Sequence, residues 1–360
     1  MKLPSLPVLN MTLPPRLKRI LVASAYPGFY LFCLLVFAYL TFPYDRLKER
    51  IIVELESPKT GKGSTHLEID SLGPYWLSGV AAKGVRFITP RAPGPDGELP
   101  PSKWIIDDAH VRVSMFQLLI GRRTVWFGGK AYGGRVEGWA RTNSDGGVLE
   151  LLVENIDIGQ IDAVSDLVSG LPLTGTLKGK IAWALPEQKL AKATGTVALT
   201  IADLTAGDGK TKIAGKLALP KLSVGAFELE GEAKEGTLKV EKFGAQGQDL
   251  DLAGEGKISL RDPFADSLAD LYLRFRFADG YKGKNEMTKS LFGTPGSSAP
   301  ALFELADPRI RTSKRPDGFY GWHMSGPVKD PRFEPSPTGG SAGSSPSQVR
   351  PGVLQRGVTN

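Results

Sequence analysis

Three histidines, His66, His110 and His323, are the side chains of this sequence best suited to metal binding or acid–base work. A zinc site takes His and Cys at short spacings, and a hydrolytic triad needs a His held between a nucleophile and a carboxylate. These three lie far apart, and none has a second His three or four positions on. The one cysteine, Cys33, stands inside an apolar run, so neither a thiolate metal site nor a disulfide framework is available. Gly207-Asp-Gly-Lys-Thr211 ends like a loop whose backbone amides and Lys would cradle phosphates. The first glycine of that motif would fall at Leu204, and the flanks read strand–turn–strand where strand–loop–helix is required. The pair Asp107-Asp108 lies at a loop entrance, where solvation and turn formation account for it. The chain is therefore expected to be non-enzymatic, with no cofactor and no metal.

Charge excludes a second class. The formal net charge of +7 is diffuse, with Lys and Arg alternating with Asp and Glu, as in Glu228 to Lys234. A nucleic-acid binder would carry a basic stripe with stacking aromatics. The densest basic cluster, Arg309, Arg311, Lys314 and Arg315, reads as a solvated loop. No nucleic-acid partner is expected.

The elements themselves begin with Ile20 to Phe42, twenty-three residues without a charge. As a helix this run is about 34 Å long, enough for a hydrocarbon core of roughly 30 Å with some tilt. Its anchoring side chains would be Ile20, Leu21, Phe29, Leu31, Phe32, Leu34, Leu35, Phe37, Leu40 and Phe42. A cleaved signal peptide fits less well, because the run exceeds a typical apolar core region and no small-residue cleavage site precedes Pro43. Lys2, Arg16, Lys18 and Arg19 mark residues 1–19 as a basic tail that stays in the cytoplasm, with the bulk of the chain on the other side.

Past the membrane run, Tyr44 to Glu56 predicts an amphipathic helix with Asp45 as its N-cap and Leu47, Ile51 and Leu55 on one face. His66 to Asp70, Gly79 to Ile88, Ala109 to Val113 and Arg123 to Tyr132 predict strands. Met115 to Ile120 predicts a short helix, apolar enough to plug the end of a sheet, and Thr89 to Pro101 predicts a loop. Alternation is clearest from Leu177 to Phe277, where 43 glycines in the whole chain punctuate short runs. There Leu177, Ile181, Trp183, Leu199, Leu217, Phe227, Leu252, Leu271, Leu273, Phe275 and Phe277 form a candidate apolar face. A weak echo at twenty residues, Thr174-Gly, Thr194-Gly and Ala214-Gly, suggests a repeated hairpin. Residues 335–360, rich in Ser, Gly and Pro, are expected to be disordered. The fold class is mostly β: one N-terminal transmembrane helix, then a large antiparallel, curved sheet over 43–334, as groove or sandwich, with a few short helices.

Four segments carry a resemblance. They are Ser71 to Val80, Val111 to Arg122 with its continuation to Val136, Leu171 to Gly179, and Ser325 to Phe333. Behind a single membrane helix, they resemble the type II secretion system protein N family and the AsmA-like domains of bacterial envelope proteins. The resemblance implies an inner-membrane anchor, a periplasmic β domain and, as partners, other secretion-system proteins; it carries over no catalytic residue. The expected function is that of a non-enzymatic inner-membrane component of the type II secretion machinery. The alternative is an AsmA-like protein whose apolar groove binds or transfers lipid acyl chains. The two differ in whether the apolar face is filled by the chain's own side chains or left open.

Overall fold

Period-two alternation needs a partner strand on each side, and in the computed structural model nearly every run finds one in its nearest neighbour along the chain. The structure describes residues 15–56, 66–90, 101–167, 171–210, 212–213, 217–293 and 301–338. The strands are β1 (His66–Tyr75), β2 (Gly79–Thr89), β3 (Ser102–Val113), β4 (Arg123–Ala131), β5 (Gly134–Asn143), β6 (Gly146–Asp157), β7 (Leu173–Pro186) and β8 (Thr194–Ala206). After a two-stranded excursion, β9 (Lys212–Ile213) and β10 (Leu217–Ala218), come β11 (Leu222–Lys234), β12 (Thr237–Gln246), β13 (Leu250–Ser259) and β14 (Leu268–Phe277). The last two are β15 (Tyr320–Pro327) and β16 (Arg332–Pro335). Leaving out the excursion, they form one fourteen-stranded antiparallel sheet in chain order.

One register row crosses all fourteen strands. It runs Pro74, Val80, Val111, Phe127, Gly138, Leu151, Ile181, Val197, Gly231, Val240, Gly256, Leu271, Met324, Phe333. Every member is apolar or glycine. The adjacent row, Tyr75, Gly79, Arg112, Trp126, Trp139, Glu150, Ala182, Thr196, Glu232, Lys239, Lys257, Asp270, Ser325, Arg332, is mostly polar or charged. Because side chains alternate faces along a strand, this row marks a dry side and the next a wet side; toward the start of β1 the pattern inverts, and Leu67, Ile69 and Val85, of the opposite parity, are buried under Ile51 and Ile52.

The sheet curls. The Leu190 amide before β8 donates to Asp262 Oδ2 beyond β13 at 2.9 Å. In a flat sheet those points would stand three strand spacings apart, about 14 Å. The curl tightens the C-terminal half around its own apolar side.

Helices α1 (Pro15–Leu40) and α2 (Tyr44–Glu56) precede the sheet. Among the described residues no helix is long and apolar enough to cross a membrane, so the expected transmembrane helix is not found there. In α1 the unbroken run of described side chains is 23–34, and those of Ile20, Leu21 and Leu35 lie outside the described residues. Phe29, Leu31, Phe32, Leu34, Phe37, Leu40 and Phe42 are exposed. Helix α2 has the expected bounds, but Asp45 lies in its first turn instead of capping it: the Leu47 amide already bonds the Pro43 carbonyl. Its Ile51 and Ile52 pack on Leu67, Ile69 and Val85.

Strand β1 continues five residues past Asp70, through Gly73-Pro74, which sequence punctuation alone would not allow. An edge strand tolerates Pro because its outward N–H position has no ladder partner to lose. Tyr132 and Gly133, both at positive φ, turn β4 into β5 as the glycine pattern predicts. The Thr174 and Thr194 members of the twenty-residue echo open β7 and β8; Ala214 lies outside the described residues, as do most of the Thr89–Pro101 loop and residues 339–360. Strand β16 runs through Pro335, one residue beyond the expected end of the β region.

Candidate functional site: the apolar face

Ten of the eleven residues expected on the apolar face share it. Leu177 pairs with Ile201, which pairs with Phe227; Phe227 pairs with Ala245, then Leu252, then Phe275. Ile181 and Leu271 stand in the fourteen-strand row, Trp183 one step along β7, and Leu199 is paired with Gly179. Leu273 and Phe277 oppose Gly254 and Leu250. Leu217 is the exception. It belongs to β10, paired with Ile213 in the separate two-stranded piece, because the chain leaves the sheet between Gly207 and Pro220.

At one end of the C-terminal half this face is closed. The stretch between β14 and β15 folds into α5 (Asp279–Lys282), α6 (Glu286–Phe292), α7 (Leu302–Ala306) and α8 (Pro308–Thr312). Asn285 and Thr288 cap α6 reciprocally, each side chain bonding the other's backbone amide. Tyr281, Phe292 and Phe303 stack around Phe277 at centroid separations of 6.0, 4.3 and 5.7 Å. Phe275 joins them and stacks on Tyr320 at 5.5 Å. Tyr281 is fully buried, and its hydroxyl donates to the Pro220 carbonyl at 2.7 Å, tying the helices to the β8–β11 excursion. Burial pushes the Tyr281 hydroxyl far above the ordinary tyrosine range, with Asp249 adding to it, so it stays a neutral donor.

Beside this plug, Glu304 is buried and receives Lys314 Nζ and Tyr320 Oη, each at 2.7 Å. Burial raises its pKa, but the two hydrogen bonds and the Lys314 charge outweigh that and hold the carboxyl below its ordinary value. Tyr320 is pushed up by its own burial and by donating to that carboxylate. The opposite end of the same half is filled by Ala193, Val197, Ala233, Leu238 and Leu260, with Leu190 packed against them.

The N-terminal half differs. Its share of the face comprises Val80, Val111, Val125, Phe127, Val136, Leu149, Leu151 and Val153, none of them fully buried, and Val111 is 41% exposed. At the tip-side rim the connections are tight turns, and nothing among the described residues covers Val80, Val111, Val125, Leu149 or Leu151. At the far rim the β6–β7 connection folds into α4 (Asp162–Leu167), whose Val164 packs with Ile161 and Tyr132 on Val136 and Val153. Sequence reasoning passed over these residues, although the alternation Leu149, Leu151, Val153 was there to be read.

Helix α3 (Met115–Leu119) corrects another expectation. It does not plug the sheet. Met115, Phe116, Leu118 and Ile120 are exposed, because five residues between β3 and β4 cannot reach back over the face. With the β1–β2 turn, α3 borders a cleft of about 320 Å3 lined by Trp76, Leu77, Arg112, Met115 and Trp126.

The three histidines remain apart. His66 pairs with Glu56 at 2.8 Å, His110 packs on the Tyr75 ring at 4.5 Å, and His323 stacks on Tyr272 and bonds Asp270 at 2.8 Å. Among the described residues no group of three or more His, Cys, Asp or Glu could hold a metal. Gly207 and Gly209 both turn at positive φ between β8 and β9, and Thr211 lies outside the described residues. No protein-family model, curated protein or solved structure matches the chain.

Proposed function

We propose that this chain is a non-enzymatic, membrane-anchored envelope protein whose trough shields lipid acyl chains. The observation that carries the reading is the apolar row crossing every strand, covered by the chain's own helices in the C-terminal half and left open over its central and tip-side rows in the N-terminal half, where only the far rim is closed by Tyr132, Ile161 and Val164. A contiguous exposed apolar surface beyond a few hundred Å2 marks a binding surface. An acyl chain suits it because the open rows offer Val80, Val111, Val125, Phe127, Leu149 and Leu151, all apolar, while Glu68, Asp70 and Arg86, polar side chains of the same parity, lie farther along β1 and β2 and pair with one another. In this reading the uncharged run Ile20–Phe42, helical through Leu40, is the inner-membrane anchor, with the sheet on the periplasmic side.

The type II secretion reading rests on the resemblance and uses the same anchor. Its structural support is the outer edge of β16, which offers backbone groups to a partner strand beside exposed Phe333. That edge is four residues long and bounded by Pro331 and Pro335, features that discourage strand addition, so we rank this reading second.

The test is a photo-crosslinker at Leu151, on the open part of the face, and one at Lys180, on the opposite side of the sheet. Lipid adducts at Leu151 and none at Lys180 are expected. Protein adducts at Leu151 with no lipid would remove the lipid reading and favour the secretion one.

A further inference from the structure

The exposed apolar tip at one end of β1–β4 has a definite direction. Glu56 Oε1 accepts the Leu67 amide at 2.9 Å, and Lys48 Nζ reaches the Asp70 carbonyl at 3.2 Å. Going back along α2 from Glu56 therefore means going forward along β1, away from His66 and toward Tyr75. The α1–α2 junction at Thr41–Pro43, with Phe42 packed on Tyr44 at 4.9 Å, points toward the end of the sheet that bears Trp76 and Leu77.

That end is built to stay together. The Ser78 hydroxyl donates to the Val113 carbonyl at 2.6 Å, and the Val113 amide donates back to the Ser78 carbonyl at 3.2 Å. The β1–β2 turn is thereby locked beside α3. Yet its side chains face water: Trp76 is 68%, Leu77 86% and Phe116 76% exposed.

Charge within the two segments that form the tip has one sign. Residues 71–95 and 109–136 contain no Asp or Glu, while Arg112, Arg122 and Arg123 flank α3. Arg112 lies over the Trp126 ring at 5.5 Å, on the wall of the cleft. Other turns on the same rim are different, since those near Asp145 and Glu187 carry acids. Trp and aliphatic side chains flanked by Arg, with no acid in the tip's own segments, match a bilayer interface containing anionic lipid.

We propose that the Trp76–Leu77 turn and α3 insert into the headgroup region of an anionic phospholipid bilayer, docking the mouth of the trough onto the membrane. Two contacts, this tip and α1, would then fix the sheet's tilt on the membrane. The inference rests on the anchor reading only for the choice of membrane, because the tip's chemistry is its own.

The experiment uses the full chain in vesicles of phosphatidylcholine, with or without about one third phosphatidylglycerol. An environment-sensitive fluorophore is placed at Leu77→Cys or Lys130→Cys, each in a Cys33→Ser background, and separately on native Cys33. Shallow spin-labelled lipid should quench the Leu77 probe at least about twofold more than the Lys130 probe, and more strongly with anionic lipid. The Cys33 probe, near the middle of Ile20–Phe42, is read with lipid spin-labelled deep in its acyl chain. Deep quenching at Cys33 without shallow quenching at Leu77 overturns the tip proposal and leaves the anchor standing. Shallow quenching at Leu77 without deep quenching at Cys33 keeps the tip and removes the anchor. A Leu77 probe that stays in water on vesicles and is shielded only by an added envelope protein overturns the proposal in favour of a protein partner. Leu77 is exposed, so its substitution leaves folding intact, and a melting curve of each labelled chain verifies this.

Discussion

The two halves of the sheet carry the same alternation and end in different environments. From β8 to β14 the apolar face holds Val197, Ala233, Leu238, Val240, Ala245, Ala269, Leu271 and Phe277, all buried. From β2 to β5 the rows on this face contain no fully buried large side chain apart from Tyr132 in the β4–β5 turn. The difference lies in the connections. The C-terminal half has an excursion at 207–221 and a helical insertion at 278–319, both long enough to fold back over the sheet. The N-terminal half has turns such as Trp76–Ser78 and Ser144–Asp145, which reverse the chain and cover nothing, and its β6–β7 connection reaches only the far rim, over Val136 and Val153. Period-two patterning makes a dry face; insertions decide whether it becomes core or groove.

The largest expected effect separates the halves directly. Phe275→Asp puts a carboxylate among Phe277, Tyr320 and the plug, and should cost several kcal/mol, enough to unfold the domain or expose it to protease. Val111→Asp, on the open rows, should change stability by less than about 1 kcal/mol while abolishing lipid crosslinking. Equal losses of melting temperature in the two variants would erase the distinction.

Next is Tyr281→Phe. It removes the one hydroxyl that ties the helical insertion to Pro220 and leaves that carbonyl unpaired, at a cost of about 1–3 kcal/mol. Denaturant unfolding measures it, and an unchanged midpoint would mean that the plug is held by ring packing alone.

Glu304 gives a smaller, pH-dependent effect. Its carboxyl is held low in the folded chain, so its contribution is fully present above the unfolded value of about 4.3 and is lost as pH falls through the folded value. Glu304→Gln should therefore melt below the parent at neutral pH, and the gap should narrow on acidification. A gap that widens toward low pH would reverse the assignment.

The smallest effect belongs to the wet side. Arg276 bonds Asp251 at 2.7 Å and lies over the Phe319 ring at 4.6 Å, with its side chain 45% exposed. Arg276→Ala should cost no more than about 1 kcal/mol. A larger loss of melting temperature would show that the polar side also holds the fold.

Much of this was legible in the residues. The run Leu271 to Phe277 announced its strand and its inward side, and the Tyr44–Glu56 helix was readable from its four-residue spacing. What could not be read was coverage. Nothing in the local pattern of Phe292 or Phe303 says that they stack on Phe277, since those contacts join residues separated by a loop. Leu217 misled because two alternating residues look the same in a sheet and in an excursion. Strand β1 was cut short for a similar reason: Gly73-Pro74 ends a central strand but not an edge strand. The apolar sequence of α3 likewise gave composition without a location.

The single register row has a consequence for how such a gene can change. Each strand hands its inside–outside parity to the next through the hairpin that joins them. Deleting one codon within, say, β5 would turn the remainder of that strand over and set its wet residues against the dry row of its neighbours. The same deletion in a turn is absorbed where the chain already reverses. Length variation in this chain should therefore be written almost wholly in its loops, with strand lengths held nearly fixed, and a deletion scan would read out the fourteen strands as fourteen intolerant blocks.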